Sequence, residues 1–281
     1  MKTKFYAIIF STSSERTIHM NVKSLKTIHI ERDNSVAILV LDHPPVNAIT
    51  EELLSDLENA FEQLKQQNDI RAVILTAGGT NSFVAGADVN VLSRKDFSSI
   101  KNYLTRIHTT FNKIENFPKP IICAINSHTA GNGCELAMVC DIRVANRNAT
   151  FVFPECKLGV VSAGGTTRRL PRFISQGRAL YYLFTTEKMT AQEAFELGFV
   201  DFLVAQDEVL SFSKVIARKI AANAPSTVSS IKMLVRKGQD LPSQEALKEE
   251  LQQSLNSCKT DDFIEGFTAF LEKRTPVFKG Q

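Results

Sequence analysis

Two glutamates, Glu135 and Glu155, and three glycine-bearing segments hold the residue types best suited to chemistry. The first segment is Phe83-Val-Ala-Gly-Ala-Asp88, which follows a β-rich run and a Gly-rich turn. The second, Ala130-Gly-Asn-Gly-Cys-Glu135, heads a helical pattern. The third runs from Pro154-Glu155 through Gly159 to Ser162-Ala-Gly-Gly-Thr166. Small residues let a ligand approach the backbone closely, and a helix N-terminus offers free N–H groups and partial positive charge. Two N–H groups converging on one carbonyl oxygen would form an oxyanion hole and stabilise an enolate. Losing one good donor of that kind typically costs about 100- to 1000-fold in rate. Two neighbouring carboxyl groups split their proton affinities, which yields one acid and one base. Each feature is weak alone. A Gly-rich turn is usually only a turn, Glu135 equally suits the helix dipole, and Glu155 equally reads as a solvated loop charge. Their joint occurrence, in this order, points to a site.

The elements that must position these groups alternate between strand and helix. Thr27–Glu31 and Val36–Leu41 flank Asp33-Asn34 as a hairpin. Thr50 reads as an N-cap, with Leu53, Leu54, Leu57, Phe61 and Leu64 at helical spacing behind it. Ala72–Thr76 is a buried strand, and Ile100–Phe117 a helix stopped by Pro118 and Pro120. Strands over Pro120–Ile125, Asp141–Ala145 and Phe151–Phe153 surround a helix with its body at Glu135–Val139, the rhythm of an α/β fold. From Thr190, which opens a capping box with Glu193, the pattern is almost wholly helical. Gly198 suits a helix C-cap, and helices follow over 208–222, 226–237, 243–257 and 261–273.

Composition narrows the classes. The chain has 281 residues, enough for a large core, with 43% hydrophobic and 22% charged residues. A net charge of +3, from 33 basic and 30 acidic residues, is too small for a nucleic-acid footprint. Five cysteines, an odd number with no C-x-x-C pair, read as reduced core residues, and five scattered histidines offer no zinc pattern. No cofactor or metal is expected. Gly131-Asn-Gly133 lacks the rest of a dinucleotide fingerprint. Residues 1–20 are expected to form a disordered extension, or to precede a true start at Met20. No later apolar run is long enough to span a bilayer, and a cytoplasmic or organelle-matrix location is expected.

The successive blocks His43-Pro-Pro-Val-Asn-Ala-Ile49, Phe83–Asp88, Gly131-Asn-Gly-Cys-Glu-Leu-Ala-Met138, Cys140–Ala145, Pro154-Glu155 and Ala163-Gly-Gly-Thr166 resemble those of the crotonase (enoyl-CoA hydratase/isomerase) superfamily. Thr190–Ala194 with Gly198-Phe-Val200, and Ala269–Arg274, extend the match to nearly the entire chain. The resemblance implies an α/β fold in which repeated ββα units form a spiral, with a C-terminal helical trimerisation region. The expected divisions are 21–200 for the core and 201–281 for the helices.

It further implies an acyl-CoA thioester substrate, coenzyme A being part of the substrate, and a homotrimer or hexamer. The thioester oxygen would meet the backbone N–H groups of Ala87 and Asn132, with Glu135 and Glu155 as the catalytic pair. Which glutamate is acid and which base is left open. CoA contacts would involve Val46, Ala48, Ala85, Gly86, Asp88 and Gly131, with Phe270, Phe278 and Lys279 as further candidates, in part toward a neighbouring subunit. The expected reaction is hydration of a 2-enoyl-CoA. An isomerase using one base at Glu155 is the alternative within the superfamily, and an RNA-binding or assembly protein the alternative outside it. Asn132 departs from the superfamily's usual glycine, and its side chain is expected to narrow the acyl pocket or make it more polar.

Overall fold

The computed structural model describes residues 25–93 and 96–281, so the extension expected over 1–20 lies outside the described residues. Strands β1 (Ile28–Asp33) and β2 (Val36–Leu41) form the expected hairpin, with Asn34 at positive φ in its turn. Helix α1 (Glu51–Gln66) starts where Thr50 accepts from the Leu53 N–H, and β3 (Ala72–Ala77) follows. A short α2 (Val89–Leu92) and the long α3 (Phe97–Glu115) lead to β4 (Ile121–Ile125), β5 (Thr129–Ala130) and α4 (Asn132–Val139). Next come β6 (Ile142–Asn146), β7 (Thr150–Val152), a 3₁₀ turn at Glu155–Leu158, α5 (Thr166–Phe173) and α6 (Gln176–Thr185). The chain ends through β8 (Met189–Thr190), α7 (Ala191–Leu197), β9 (Phe202–Val204), α8 (Val209–Ala221), α9 (Pro225–Gly238), α10 (Ser243–Ser257) and α11 (Asp261–Glu272).

Two ladders organise these elements. The main sheet has the order β1-β2-β3-β4-β6-β9, parallel except for the opening hairpin. The second runs β5-β7-β8 and is prolonged by single bridges between Val84 and Thr129 and between Ile49 and Ala87. Strands β2, β3, β4 and β6 therefore each hand the chain to a short stretch in the second ladder before a helix returns it. This is the spiral of repeated units that the resemblance implies. Both faces of the main sheet are covered, which is why β2, β3 and β4 are apolar but for Thr76 instead of alternating. Leu39, Leu41, Val73, Leu75 and Cys123 pack toward α1, α3 and α4. Val36, Ile38, Ile74, Ile122 and Val144 pack under α8.

Three departures from expectation have physical reasons. Helices α5 and α6 carry no long apolar stripe, and α5 contains Pro171, so periodicity does not reveal them. Strand β9, three residues long, lies in a stretch whose pattern is otherwise helical, and it is set by pairing with β6. Of the five cysteines, Cys123, Cys134 and Cys140 are buried free thiols. Cys156 and Cys258 are free but exposed, so they are not core residues: both lie at solvent-facing helix ends. Among the described residues no helix is long and apolar enough to cross a membrane.

The C-terminal helices are fastened to the core by charge. Asp141 accepts from the Ile121 N–H at 2.7 Å, pairs with Lys232 at 2.8 Å and with Arg236 at 2.7 Å. Arg236 continues to Glu115, and Glu115 to Arg169 at 2.6 Å. The Lys232 side chain is only 8% exposed, and burial pulls its ammonium pKa down against the attraction of Asp141. Removing one partner of such a buried pair leaves an uncompensated charge. Asp141→Ala is expected to cost about 3 kcal/mol in urea unfolding. A loss below about 1 kcal/mol, the range of exposed pairs, would show that the network does not hold these helices.

Candidate active site

The site forms where the two glycine-bearing loops run side by side. Phe83 N–H donates to the His128 carbonyl at 2.8 Å and Ala130 N–H to the Val84 carbonyl at 3.0 Å. With Val84 paired to Thr129, Gly86 and Gly131 meet further along the two loops, directly before Ala87 and Asn132. The backbones touch there. A Cβ on Gly131 would lie 3.7 Å from the Gly86 Cα, and one on Gly133 would lie 2.3 Å from the Val84 carbonyl oxygen. Gly86 and Gly131 also have positive φ, at 108° and 49°. Side chains are therefore excluded at the contact on two separate grounds, space and backbone angle. Neither the Ala87 nor the Asn132 N–H donates to an acceptor among the described residues. Asn132 opens α4, where no intrahelical acceptor exists for its N–H.

The loop at 43–49 is stitched to the same place. Val46 C=O accepts from Ala85 N–H at 3.1 Å and from the Ser82 hydroxyl at 2.7 Å, and Ile49 N–H donates to Gly86 C=O at 2.8 Å. Asn47, at positive φ, accepts from His43 N–H at 2.7 Å and donates to Ser82 C=O at 3.3 Å. Tyr103 locks the layer from α3. Its hydroxyl donates to Ile49 C=O and accepts from Asp88 N–H, and burial pushes its pKa up to about 12. The Asp88 carboxylate caps α2 through the Asn90 N–H. Val46, Ala48, Ala85, Gly86, Ala87, Asp88, Gly131 and Asn132 are thus brought together. Phe270, Phe278 and Lys279 are not. Arg71, just before β3, holds the Phe278 carbonyl, so these residues lie at the opposite end of the strands in this protomer. Phe270 is 79% exposed, and the Lys279 N–H donates to Asp262.

Glu135 has no exposed surface at all. Its Oε1 accepts from the Thr166 hydroxyl at 2.8 Å and the Thr166 N–H at 3.3 Å, and its Oε2 from the Asn132 amide at 2.5 Å. Burial raises its pKa, while Thr166, Asn132 and the Gly164 main chain oppose the rise. A Cβ on Gly164 would fall 2.2 Å from Oε2, so only glycine fits there. Arg169, paired with Glu115, fixes that turn by donating to the Gly164 carbonyl. Glu155 differs. Its Oε1 lies 3.3 Å from where a Gly131 Cβ would be, over the residue preceding Asn132. Its Oε2 is buried and has no hydrogen-bond partner. Burial raises its pKa, and the neighbouring Glu135 charge adds to the rise, against its own backbone N–H and Ser162.

The Asn132 backbone is helical, and the positive φ belongs to Gly131 before it. The Asn132 amide donates to Glu135 three residues along the helix. Sequence reasoning also left Thr166, Tyr103 and Arg169 without roles. Thr166 stood in a quoted block, but the other two reach the site only through tertiary contacts and leave no local signal.

The sequence profile of the enoyl-CoA hydratase/isomerase family matches residues 31–281. The short-chain-enoyl-CoA hydratase of Clostridium acetobutylicum is 34% identical over 251 residues, covering 89% of this chain and 96% of its own. The 2,3-dehydroadipyl-CoA hydratase of Escherichia coli is 35% identical over 253 residues, covering 90% and 98%. The crystal structure of an enoyl-CoA hydratase from Bacillus anthracis superposes with a TM-score of 0.89 at 34% identity, covering 91% of this chain and all of that one. The chain belongs to the enoyl-CoA hydratase/isomerase family.

Proposed function

We propose that the protein is an enoyl-CoA hydratase, adding water reversibly to a 2-enoyl-CoA to give the 3-hydroxyacyl-CoA. The observation that carries this reading is one fully buried carboxyl group, Glu135, and one partly buried, Glu155, in unequal surroundings, beside two undonated backbone N–H groups. The Ala87 and Asn132 N–H groups receive the thioester oxygen, whose negative charge grows as water adds at C3. An isomerase needs one base; two carboxyls suit a reaction that removes one proton and delivers another. The relatives named as hydratases favour the same reaction. No cofactor enters the scheme.

The surroundings of the two glutamates divide their work. Three hydrogen bonds to Glu135, with the Gly164 main chain beside them, favour its charged form. Glu155, with an unpartnered oxygen beside a charged neighbour, favours the neutral acid. In this scheme Glu135 takes a proton from water as the oxygen bonds to C3, and Glu155 delivers its proton to C2. The enolate electron pair forms the new C–H bond, and the glutamates reset their protons through solvent.

The reading extends to assembly and place. Helices α9 to α11 expose the large apolar side chains Ile231, Val235, Leu251, Ile264, Phe267 and Leu271, the kind of residue an interaction surface covers. A homotrimer or hexamer would cover them and bring Phe270, Phe278 and Lys279 toward a neighbour's CoA. A cytoplasmic or matrix location accords with such a substrate.

The test is loss of the conjugated enoyl-thioester absorbance of crotonyl-CoA. Glu135→Gln and Glu155→Gln are each expected to slow it about 100- to 10,000-fold. An unreactive wild type that still binds CoA would overturn the reading in favour of isomerisation. Light scattering should give a trimer or hexamer, and a monomer would refute the assembly. The raised pKa of Glu155 also predicts a stability effect. The folded state prefers the protonated acid, so this contribution is full below the usual glutamate range and is lost as pH rises through the raised value. The melting-temperature excess of Glu155→Gln over wild type should therefore be larger at about pH 8 than at about pH 4. A pH-independent difference would contradict it.

A further inference from the structure

The geometry points to Asn132 as a positioning residue with two functions: its main-chain N–H receives the thioester oxygen, and its side-chain amide holds the Glu135 carboxylate ionised and in place. This inference rests on the hydratase reading above and deepens it. The contact is intrahelical, between the first and fourth residues of α4, which stack on one face of the turn. It is also enclosed. Asn132 is buried at 7% exposure, so water cannot replace the amide without entering the site. Oε1 is already occupied by Thr166, which leaves Asn132 as the one side-chain donor on Oε2 among the described residues. Because one residue supplies both the N–H and the amide, the thioester oxygen and the base are held in a fixed relation by a single helical turn.

The other groups facing Glu135 are separable from this contact. Glu155 approaches from the 3₁₀ turn and Cys134 lies on the same helix. Arg169 acts from α5 through the Gly164 carbonyl and is neutralised by Glu115 on α3. His108, also on α3, meets the Ala163 carbonyl at 3.1 Å and the Asn112 amide at 3.0 Å. None of these bonds involves Asn132, so a substitution there reports on the amide.

Asn132→Ala keeps the backbone N–H and removes the amide. A hydrogen bond to a charged group is worth enough to move a proton affinity by about one to two pH units. The acid limb of the kcat pH profile is therefore expected to move up by about that much, with kcat at neutral pH falling about 10-fold or more and KM nearly unchanged. Asn132→Asp has the same shape but sets a second carboxylate against Glu135, and should move the limb further upward. Limbs that stay in place in both variants, or a KM that rises at constant kcat, would overturn the inference. A ¹³C-glutamate NMR titration, with Glu135 assigned by its loss in Glu135→Gln, gives the same answer without turnover. If the wild type hydrates no enoyl thioester, the function fails while the NMR shift still decides whether Asn132 sets the state of Glu135.

Discussion

The Glu135 carboxylate is removed from water entirely, and such a group can remain ionised only if fixed donors replace the solvent it has lost. Much of the surrounding structure follows from meeting that demand. Helix α4 begins one turn before Glu135, which puts the Asn132 amide within reach. The Gly164-Gly165 turn must come close enough for Thr166 to donate twice, and a side chain at residue 164 would occupy the carboxylate's own space. Arg169 holds the turn there, and Glu115 holds Arg169. The donors do not fully cancel the desolvation, since the pKa remains raised. A carboxyl group of raised proton affinity takes up a proton more readily, which suits a general base.

The second constraint is steric. The pair of free N–H groups exists because two backbones lie against each other, and they can do so only where no side chain intervenes. Gly86, Gly131 and Gly133 provide that contact. The hydrogen bonds from Ala85 to Val46 and from Ile49 to Gly86 add the loop at 43–49 to the same layer, and Tyr103 closes it from α3. The main sheet takes no direct part in the chemistry. It fixes where each short stretch of the second ladder emerges, and so sets Gly86 against Gly131, the residues before Ala87 and Asn132.

Charge then connects the site to the rest of the chain. The run Lys232–Asp141–Arg236–Glu115–Arg169 passes from α9 to the start of β6, to α3 and to the Gly164 turn. The C-terminal helices, remote from Glu135 in the chain, are thereby tied through a few ion pairs to the turn that supplies its donors. Several large apolar side chains of these helices, among them Leu251, Ile264 and Phe267, stay exposed in the single chain.

Local sequence determined the long elements and the identity of the reactive groups. The Thr50 cap, the Thr190–Glu193 capping box, the Gly198 stop and the apolar runs of β2, β3 and β4 depend on neighbours within a few residues, so spacing alone reveals them. Glu135, Glu155 and the glycine blocks stood out as candidates only through their joint occurrence in one order. Helices α5 and α6, strand β9, the roles of Tyr103 and Arg169 and the direction of the Asn132 side chain were not legible. Each depends on partners distant in sequence, or on a space that only packing defines. What separates Glu135 from Glu155 is likewise tertiary. The two residues are chemically identical, and only the folded chain surrounds one with donors and leaves the other an oxygen without any.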